Sequence, residues 1–238
     1  MDIILYNITI AFVSLIIGYL LGSFPTAIVI GKLFFHQDPR DYGSKNAGGT
    51  NAGRLWGKKA GLTVMIVDIV KAVLSIWIAF IIIRCSGIAD VVVLWNGGML
   101  YFYLASLGAA IGHCWPIYAH FRGGKAVSAL AGIVVGTSWF LSLFGLVFFI
   151  ILKNKKFVSL SSIIASWVVT CVSWAMFVAN YFSPGFFDFA MWGSGTIFVA
   201  GWEYSTIITI ITIIVLLRHH ENIKRLANNE ERKISWMK

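Results

Sequence analysis

The sequence predicts an all-α fold: a polytopic transmembrane bundle of seven helices, two of them short and central, with the N-terminus out and the C-terminus in. Three observations predict it. Of 238 residues, 58% are hydrophobic and only 12% charged, about half the charged share of an average soluble domain. Several apolar runs reach or pass the ~20 residues that a helix needs to cross a bilayer. The net charge of +9 is unevenly placed, with basic residues gathered in particular loops, as the positive-inside rule describes. The sequence shows neither linker nor low-complexity tract nor internal repeat, so 1–238 reads as a single domain.

The first apolar run, 3–33, follows Asp2 without a basic n-region and is too long for a signal-peptide core, so it reads as a retained first span. The further runs are 61–83, 91–112, 126–152, 157–182 and 197–217. Loop 34–60 carries Arg40, Lys45, Arg54, Lys58 and Lys59, and loop 113–125 carries Arg122 and Lys125. Turn 153–156 holds Lys153, Lys155 and Lys156, and a basic tail begins at Arg218. The connections near 84–90 and 183–196 hold only Arg84 among basic residues. Six spans would split the basic loops between two sides. As one helix, 126–152 would run ~40 Å at 1.5 Å per residue. Gly136, Thr137 and Ser138 at its middle predict a reversal, which returns every basic loop to the cytoplasmic side.

Other intramembrane features read as packing. Gly18/Gly22, Gly108/Gly112 and Gly132/Gly136 have the four-residue spacing that lets helix backbones approach. Asp68 and Lys71 share a face of the second span, where they either satisfy each other or buttress a site loop. Cys85, Cys114 and Cys171 are odd in number and lack a CxxC, which argues against a disulfide or metal framework.

The chemistry lies in the polar loops. Residues 43–54, Gly-Ser-Lys-Asn-Ala-Gly-Gly-Thr-Asn-Ala-Gly-Arg, combine glycines that expose backbone N–H groups with the neutral donors Ser44, Asn46, Thr50 and Asn51. Arg54 adds a planar fork suited to phosphate. The spacing is not that of a Walker A loop. In the second loop, His113 is followed by Arg122-Gly123-Gly124-Lys125, leading straight into an apolar run. Glycines at a helix start with a lysine beside them can hold an anion through N–H groups, dipole and charge. The third cluster, Arg218-His219-His220-Glu221-Asn222-Ile223-Lys224-Arg225-Leu226, places His219 and Asn222 on one helix face. Neighbouring His219 and His220 diverge on a helix, so neither metal nor other cofactor is expected. Ser159 begins the 157–182 run, where it can donate to a phosphate or to its own helix. Together these loops suit a phosphate-bearing substrate beside the bilayer. In a soluble protein the positive balance would suggest nucleic acid, but in membrane-flanking loops it reads as topology, and no nucleic-acid partner is expected.

The four ordered motifs, G-S-x-N-x-G-x-T-N-x-x-R, G-H-x-x-P with F-R-G-G-K, V-S-L and R-H-x-E-N-x-x-R-L, resemble the bacterial acyl-phosphate:glycerol-3-phosphate acyltransferases of the PlsY type over nearly the whole chain. The resemblance implies a seven-helix enzyme of the bacterial cell membrane with its active site facing the cytoplasm. It would move a fatty acyl group from acyl phosphate to the 1-hydroxyl of glycerol 3-phosphate, giving lysophosphatidic acid and phosphate. Its partners would be these two substrates, the bilayer and the enzyme that supplies acyl phosphate. Carried over by motif, His219, Asn222, Lys125 and Ser44 fall at the catalytic centre. Asn46, Thr50, Asn51, Arg54, His113, Gly123, Gly124 and Ser159 fall at the substrates, and Glu221 reads as structural. Three features depart from the family pattern: Lys45 and Ala126 stand where glycine is usual, and 183–203 is long.

Acyl phosphate is already activated, so the expected mechanism has no covalent intermediate and uses the substrate's phosphate as base, with His219 or His113 as the alternative bases. A transporter of a phosphorylated small molecule is the non-enzyme alternative. His36 to Asp41 matches the H-x4-D spacing of thioester-dependent acyltransferases, but Pro39 within it disfavours a regular helix, and the match reads as coincidence.

Overall fold

The computed structural model describes residues 3–87 and 98–234, and its regular secondary structure is helical among these residues. The first run divides into α1 (Ile3–Gly22) and α2 (Thr26–Phe35). Pro25 between them has no N–H to continue a helical ladder. The polar loop that follows contains α3 (Gly49–Trp56), and α4 (Lys58–Cys85) crosses the bundle. The expected run 91–112 begins outside the described residues, and α5 is seen from Met99 to Cys114. Then come α6 (Val127–Thr137), α7 (Trp139–Gly145), α8 (Val147–Lys155), α9 (Val158–Phe182), α10 (Trp202–Arg218) and α11 (His220–Ala227). Among the described residues, 3–35, 58–85 and 158–182 are long and apolar enough to cross a bilayer, and α10 with α11, bent by 58°, makes a fourth candidate.

The all-helical membrane architecture agrees with the sequence reading, but the count of seven helices does not. Pro25 splits the first run, Ser138 and Leu146 divide 126–152 into three pieces, and both the first polar loop and the tail form helices of their own.

The reversal expected at Gly136–Ser138 occurs. Ser138 leaves the helix with φ −146° and ψ 114°, and its side chain caps α7 by accepting the Leu141 N–H. Both flanks of this hairpin return to one end of the bundle. At its start the Gly124 carbonyl accepts a hydrogen bond from Arg218, and at its far end the Lys156 carbonyl accepts the Ile234 N–H. The turn itself meets the long outer segment, where Ser138 donates to the Ala190 carbonyl at 2.7 Å and Trp192 donates to that of Thr137 at 3.0 Å. The same segment closes over an aromatic core of Trp77, Phe80, Phe102, Tyr103 and Phe198.

Two glycine stripes lock α1 against α5. A Cβ at Gly18 or Gly22 would run into the backbone of Ala105 or Ala109, and one at Gly108 or Gly112 into that of Leu15 or Tyr19. The partner number rises with the residue number, so the helices run in parallel and both deliver their C-terminal ends to the polar end. Several hydroxyls inside the bundle bond one another or carbonyls, which offsets their removal from water. Thr170 meets Thr212 at 2.8 Å, and Thr137 meets Tyr204 at 2.8 Å.

Because the atoms facing Gly108 are backbone, they cannot rotate away, and overpacking of this kind costs about 1–3 kcal/mol. Gly108→Ala is expected to lower the melting temperature of the detergent-solubilised protein by several degrees. Gly145→Ala, whose Cβ meets open space, should leave it unchanged or raise it. Thermal unfolding of the two variants checks this.

Candidate active site

The first polar loop is folded around one side chain. Asn51 is buried, accepts the Ser44 N–H at 2.9 Å, and donates to the carbonyls of Pro39, Asn46 and Tyr42 at 2.8, 3.1 and 3.2 Å. All four of these hydrogen bonds go to loop backbone, so Asn51 shapes the loop. Lys45 holds φ 54°, a conformation that costs a non-glycine residue roughly 1–2 kcal/mol. α3 lies against α4 at a glycine contact, where a Cβ on Gly61 would meet the backbone of Gly53 and Gly49. This contact fixes the first turn of α3, with half-buried Thr50, and aims Arg54 towards the tail. Arg54 donates to the Arg232 carbonyl at 3.3 Å. Ser44 stays exposed at the loop's rim.

The second loop turns back over the end of α5. The Gly123 N–H donates to the Cys114 carbonyl at 3.1 Å, and the Gly124 N–H to that of His113 at 2.9 Å. The sequence expectation that these N–H groups would hold an anion is therefore corrected. The glycines serve closeness: a Cβ at Gly123 would strike the His113 carbonyl, and one at Gly124 the His113 imidazole. The anion-attracting groups lie one step further on. Ala126 takes φ 61°, and the first hydrogen bond of α6 runs from Leu130 N–H to the Ala126 carbonyl. The N–H groups of Val127 to Ala129 thus lack partners within the helix. This positive helix end has Lys125 beside it.

Several contacts bind the loops together. Asn46 Nδ2 approaches the Gly123 carbonyl at 3.4 Å. Arg40 grips Asp38 at 2.7 Å and reaches the Ala119 carbonyl at 2.8 Å, and the hydrogen bond from Arg40 holds the Asp38 carboxyl below its usual range. Pro39 lies in a short 3-10 turn and His36 caps α2, so the H-x4-D match forms part of this brace. Arg218 lies over the Trp115 ring and donates to the Gly124 and Gly123 carbonyls at 3.1 and 3.4 Å.

The centre of the cluster is a residue the sequence reading missed. The Glu231 side chain, 6% exposed, accepts hydrogen bonds from Asn222 Nδ2 at 2.7 Å, Ser159 Oγ at 2.9 Å and Arg225 Nε at 2.8 Å. Asn222 Oδ1 in turn accepts from Lys125 Nζ. Burial opposes the Glu231 charge, but these donors outweigh it and hold the carboxyl below its ordinary value. Glu221, expected to be structural, is exposed and pairs with His220 at 3.0 Å and Lys224 at 3.6 Å. Its place in the motif carried no signal of depth, and with Glu221, Glu230 and Glu231 all in the basic tail the sequence did not single out Glu231.

Burial pushes the Lys125 ammonium down to about 8, with repulsion from Arg225, Arg218 and Arg54 adding to the shift and Glu231 opposing it. Burial also lowers Arg54. His219, 3% exposed, hydrogen-bonds the Val215 carbonyl through Nδ1 at 2.7 Å. Burial and then the nearby Lys125 bring its pKa down to about 4. The structure thus gathers Lys125, Asn222, Ser159, His219 and Arg54 around Glu231. His113 lies beneath the second loop, and Ser44, Asn46 and Thr50 lie on the first. Among the described residues no group of three or more His, Cys, Asp or Glu side chains could hold a metal ion.

The model of a family described as glycerol-3-phosphate acyltransferase matches residues 12–229. Glycerol-3-phosphate acyltransferases of Staphylococcus aureus strains bovine RF122 / ET3-1 and JH9 are each 35% identical over 227 residues, covering 94% of this chain and 98% of theirs. The fold is similar to crystal structures of PlsY (YgiH), an integral membrane glycerol 3-phosphate acyltransferase. Its glycerol 3-phosphate form has a TM-score of 0.74 at 30% identity, over 94% of this chain and 96% of that one. Its lysophosphatidic acid form has a TM-score of 0.71 at 28% identity, over 95% and 96%.

Removing the Glu231 charge leaves its donors facing a neutral amide, and a hydrogen bond to a charged group contributes about 1.5–3 kcal/mol. Glu231→Gln should therefore lower the melting temperature by roughly 3–12 °C, as differential scanning fluorimetry would show. A lysine with a depressed pKa is cationic below that pKa and neutral above it. Affinity for inorganic phosphate, corrected for the ligand's own ionisation, is therefore expected to fall as pH rises through about 8. Lys125→Arg should retain it above pH 8, and titration calorimetry across pH 6–10 measures both.

Proposed function

The chain belongs to the glycerol-3-phosphate acyltransferase family of integral membrane enzymes, and on that premise we propose that it transfers a fatty acyl group from acyl phosphate to the 1-hydroxyl of sn-glycerol 3-phosphate. The products are lysophosphatidic acid and inorganic phosphate, the first step of phospholipid synthesis, and acyl-CoA is not a donor. The observation that carries this reading is a surplus of cations, Arg54, Lys125, Arg218 and Arg225, about the Glu231 carboxylate. Such a surplus suits two phosphate-bearing substrates. The solved relatives in glycerol 3-phosphate and lysophosphatidic acid forms support the acceptor and the product.

In this mechanism the first loop, with Ser44, Asn46, Thr50 and Arg54, holds one phosphate, and Lys125 with the start of α6 holds the other. Asn51 shapes the first loop and Gly123 and Gly124 shape the second. Asn222, held by Glu231 together with Ser159, aims Lys125. The glycerol oxygen attacks the acyl carbon, a new C–O ester bond forms, and the bond to the phosphate oxygen breaks. Negative charge grows on the departing phosphate, where pre-aimed cations and the helix end stabilise it. The hydroxyl proton passes to phosphate. A phosphate group has a second pKa of about 6, closer to neutral pH than the roughly 4 of His219, and so is the better proton acceptor. With its Nδ1–H on the Val215 carbonyl, His219 presents Nε2 as a hydrogen-bond acceptor that orients the hydroxyl.

The basic end faces the cytoplasm of a bacterial cell membrane, on the charge rule. There it meets soluble glycerol 3-phosphate and the enzyme that supplies acyl phosphate. Purified protein in nanodiscs should release phosphate from acyl phosphate only when glycerol 3-phosphate is added. Release independent of the acceptor, or equal transfer from acyl-CoA, would overturn the reading.

A further inference from the structure

Beneath both loops lies a buried ionic cluster that the mechanism has not used. Asp68 on α4 is 1% exposed. Its Oδ1 accepts hydrogen bonds from Thr26 Oγ1 at 2.8 Å and is 2.7 Å from Lys71 Nζ. Lys71 also donates to the Phe24 carbonyl at 2.8 Å. An ion pair that merely satisfied itself would end there. This one continues: Oδ1 lies 3.7 Å from His113 Nδ1, and neither Asp68 Oδ2 nor His113 Nδ1 has a hydrogen-bond partner. Buried polar atoms are nearly always paired, and exceptions call for a reason. Asp68, Lys71, His113, Ala47, Gly123 and Gly124 line one small cavity, so the cluster shares that cavity with the first loop at Ala47 and with the second at its glycines. On its other side the His113 ring lies where a Cβ of Gly124 would be, and the His113 carbonyl accepts the Gly124 N–H.

We propose that Asp68, held by Lys71 and Thr26, is a positioning residue that fixes the His113 imidazole against Gly124 and thereby sets the second loop, with Lys125, at the substrate phosphate. A carboxylate facing one ring nitrogen orients an imidazole much as an outer-shell carboxylate orients a metal-bound histidine. The proposal extends the acyltransferase reading, and it is tested by two readouts, one of which does not depend on catalysis.

The variants are Thr26→Val, which keeps shape and removes one hydrogen bond to Asp68, and Asp68→Asn combined with Lys71→Met, which removes both charges together so that neither is left buried alone. For each, KM and kcat with glycerol 3-phosphate and the affinity for inorganic phosphate are measured. Loss of loop positioning weakens phosphate binding in ground and transition states alike, so KM rises while kcat changes little. A purely structural part would lower the active fraction and leave KM alone. The expected result is a KM and a phosphate dissociation constant raised about threefold in Thr26→Val and at least tenfold in the double variant. Unchanged phosphate affinity in Thr26→Val overturns the inference, whether or not the double variant folds. Wild-type protein that binds phosphate but transfers nothing to glycerol 3-phosphate overturns the acyltransferase reading instead, and the phosphate affinities still decide the part played by Asp68.

Discussion

The site depends on one carboxylate among many cations. Burial depresses the Lys125 ammonium and the nearby Arg225, Arg218 and Arg54 add to it, and the mutual repulsion of these four cations would drive the loops apart without an anion between them. Glu231 supplies it. Its two oxygens, carried on the tail, take donors from α9 through Ser159 and from α11 through Asn222 and Arg225. One side chain thus joins elements far apart in the sequence. The positive surplus that remains after Glu231 is counted is what a phosphate can use. The same carboxylate therefore makes the cluster stable enough to exist and leaves it cationic enough to bind.

That arrangement needs all the polar segments at one end of the bundle, and two packing features put them there. The Gly18/Gly22 and Gly108/Gly112 stripes interlock, so α1 and α5 run in parallel and end level with each other. The break at Ser138 folds 126–155 into a hairpin whose turn is held by Ala190 and Trp192. A continuous helix there would have carried Ser159 to the opposite end, away from Glu231.

Much of this was legible in the sequence because it follows from charge and period. Loop charge asymmetry required the reversal at Gly136–Ser138, and four-residue glycine spacing marked the α1–α5 contact. The division of 3–33 was not seen, because the apolar run continues through Pro25 and hydropathy does not register a missing N–H. At the site, residue types marked the loops that gather at the basic end but not which of their atoms are free. Asn51 looked like a donor to substrate, yet its amide serves the loop. Gly123 and Gly124 looked like anion-binding N–H groups, yet both N–H groups bond to α5 carbonyls. Glu231 was passed over because a carboxylate in an anion site looks out of place until the cations around it are counted in space.

The two departures from the family's glycine pattern now have a physical meaning. Lys45 and Ala126 both hold left-handed backbone, with φ of 54° and 61°, the conformation in which glycine is free of steric cost. Neither residue is a glycine, so the strain is carried by the loops' other restraints. At Lys45 these are the Asn51 amide on neighbouring Ser44 and the Lys45 N–H on the Tyr42 carbonyl at 3.0 Å. At Ala126 they are full burial and the glycine turn clamped by His113 and Arg218. A strained residue persists only where its surroundings over-determine it. Both strained positions lie beside groups assigned to phosphate, Ser44 and Lys125, so the rigidity that tolerates the strain is also the rigidity that holds those groups in place before a substrate arrives.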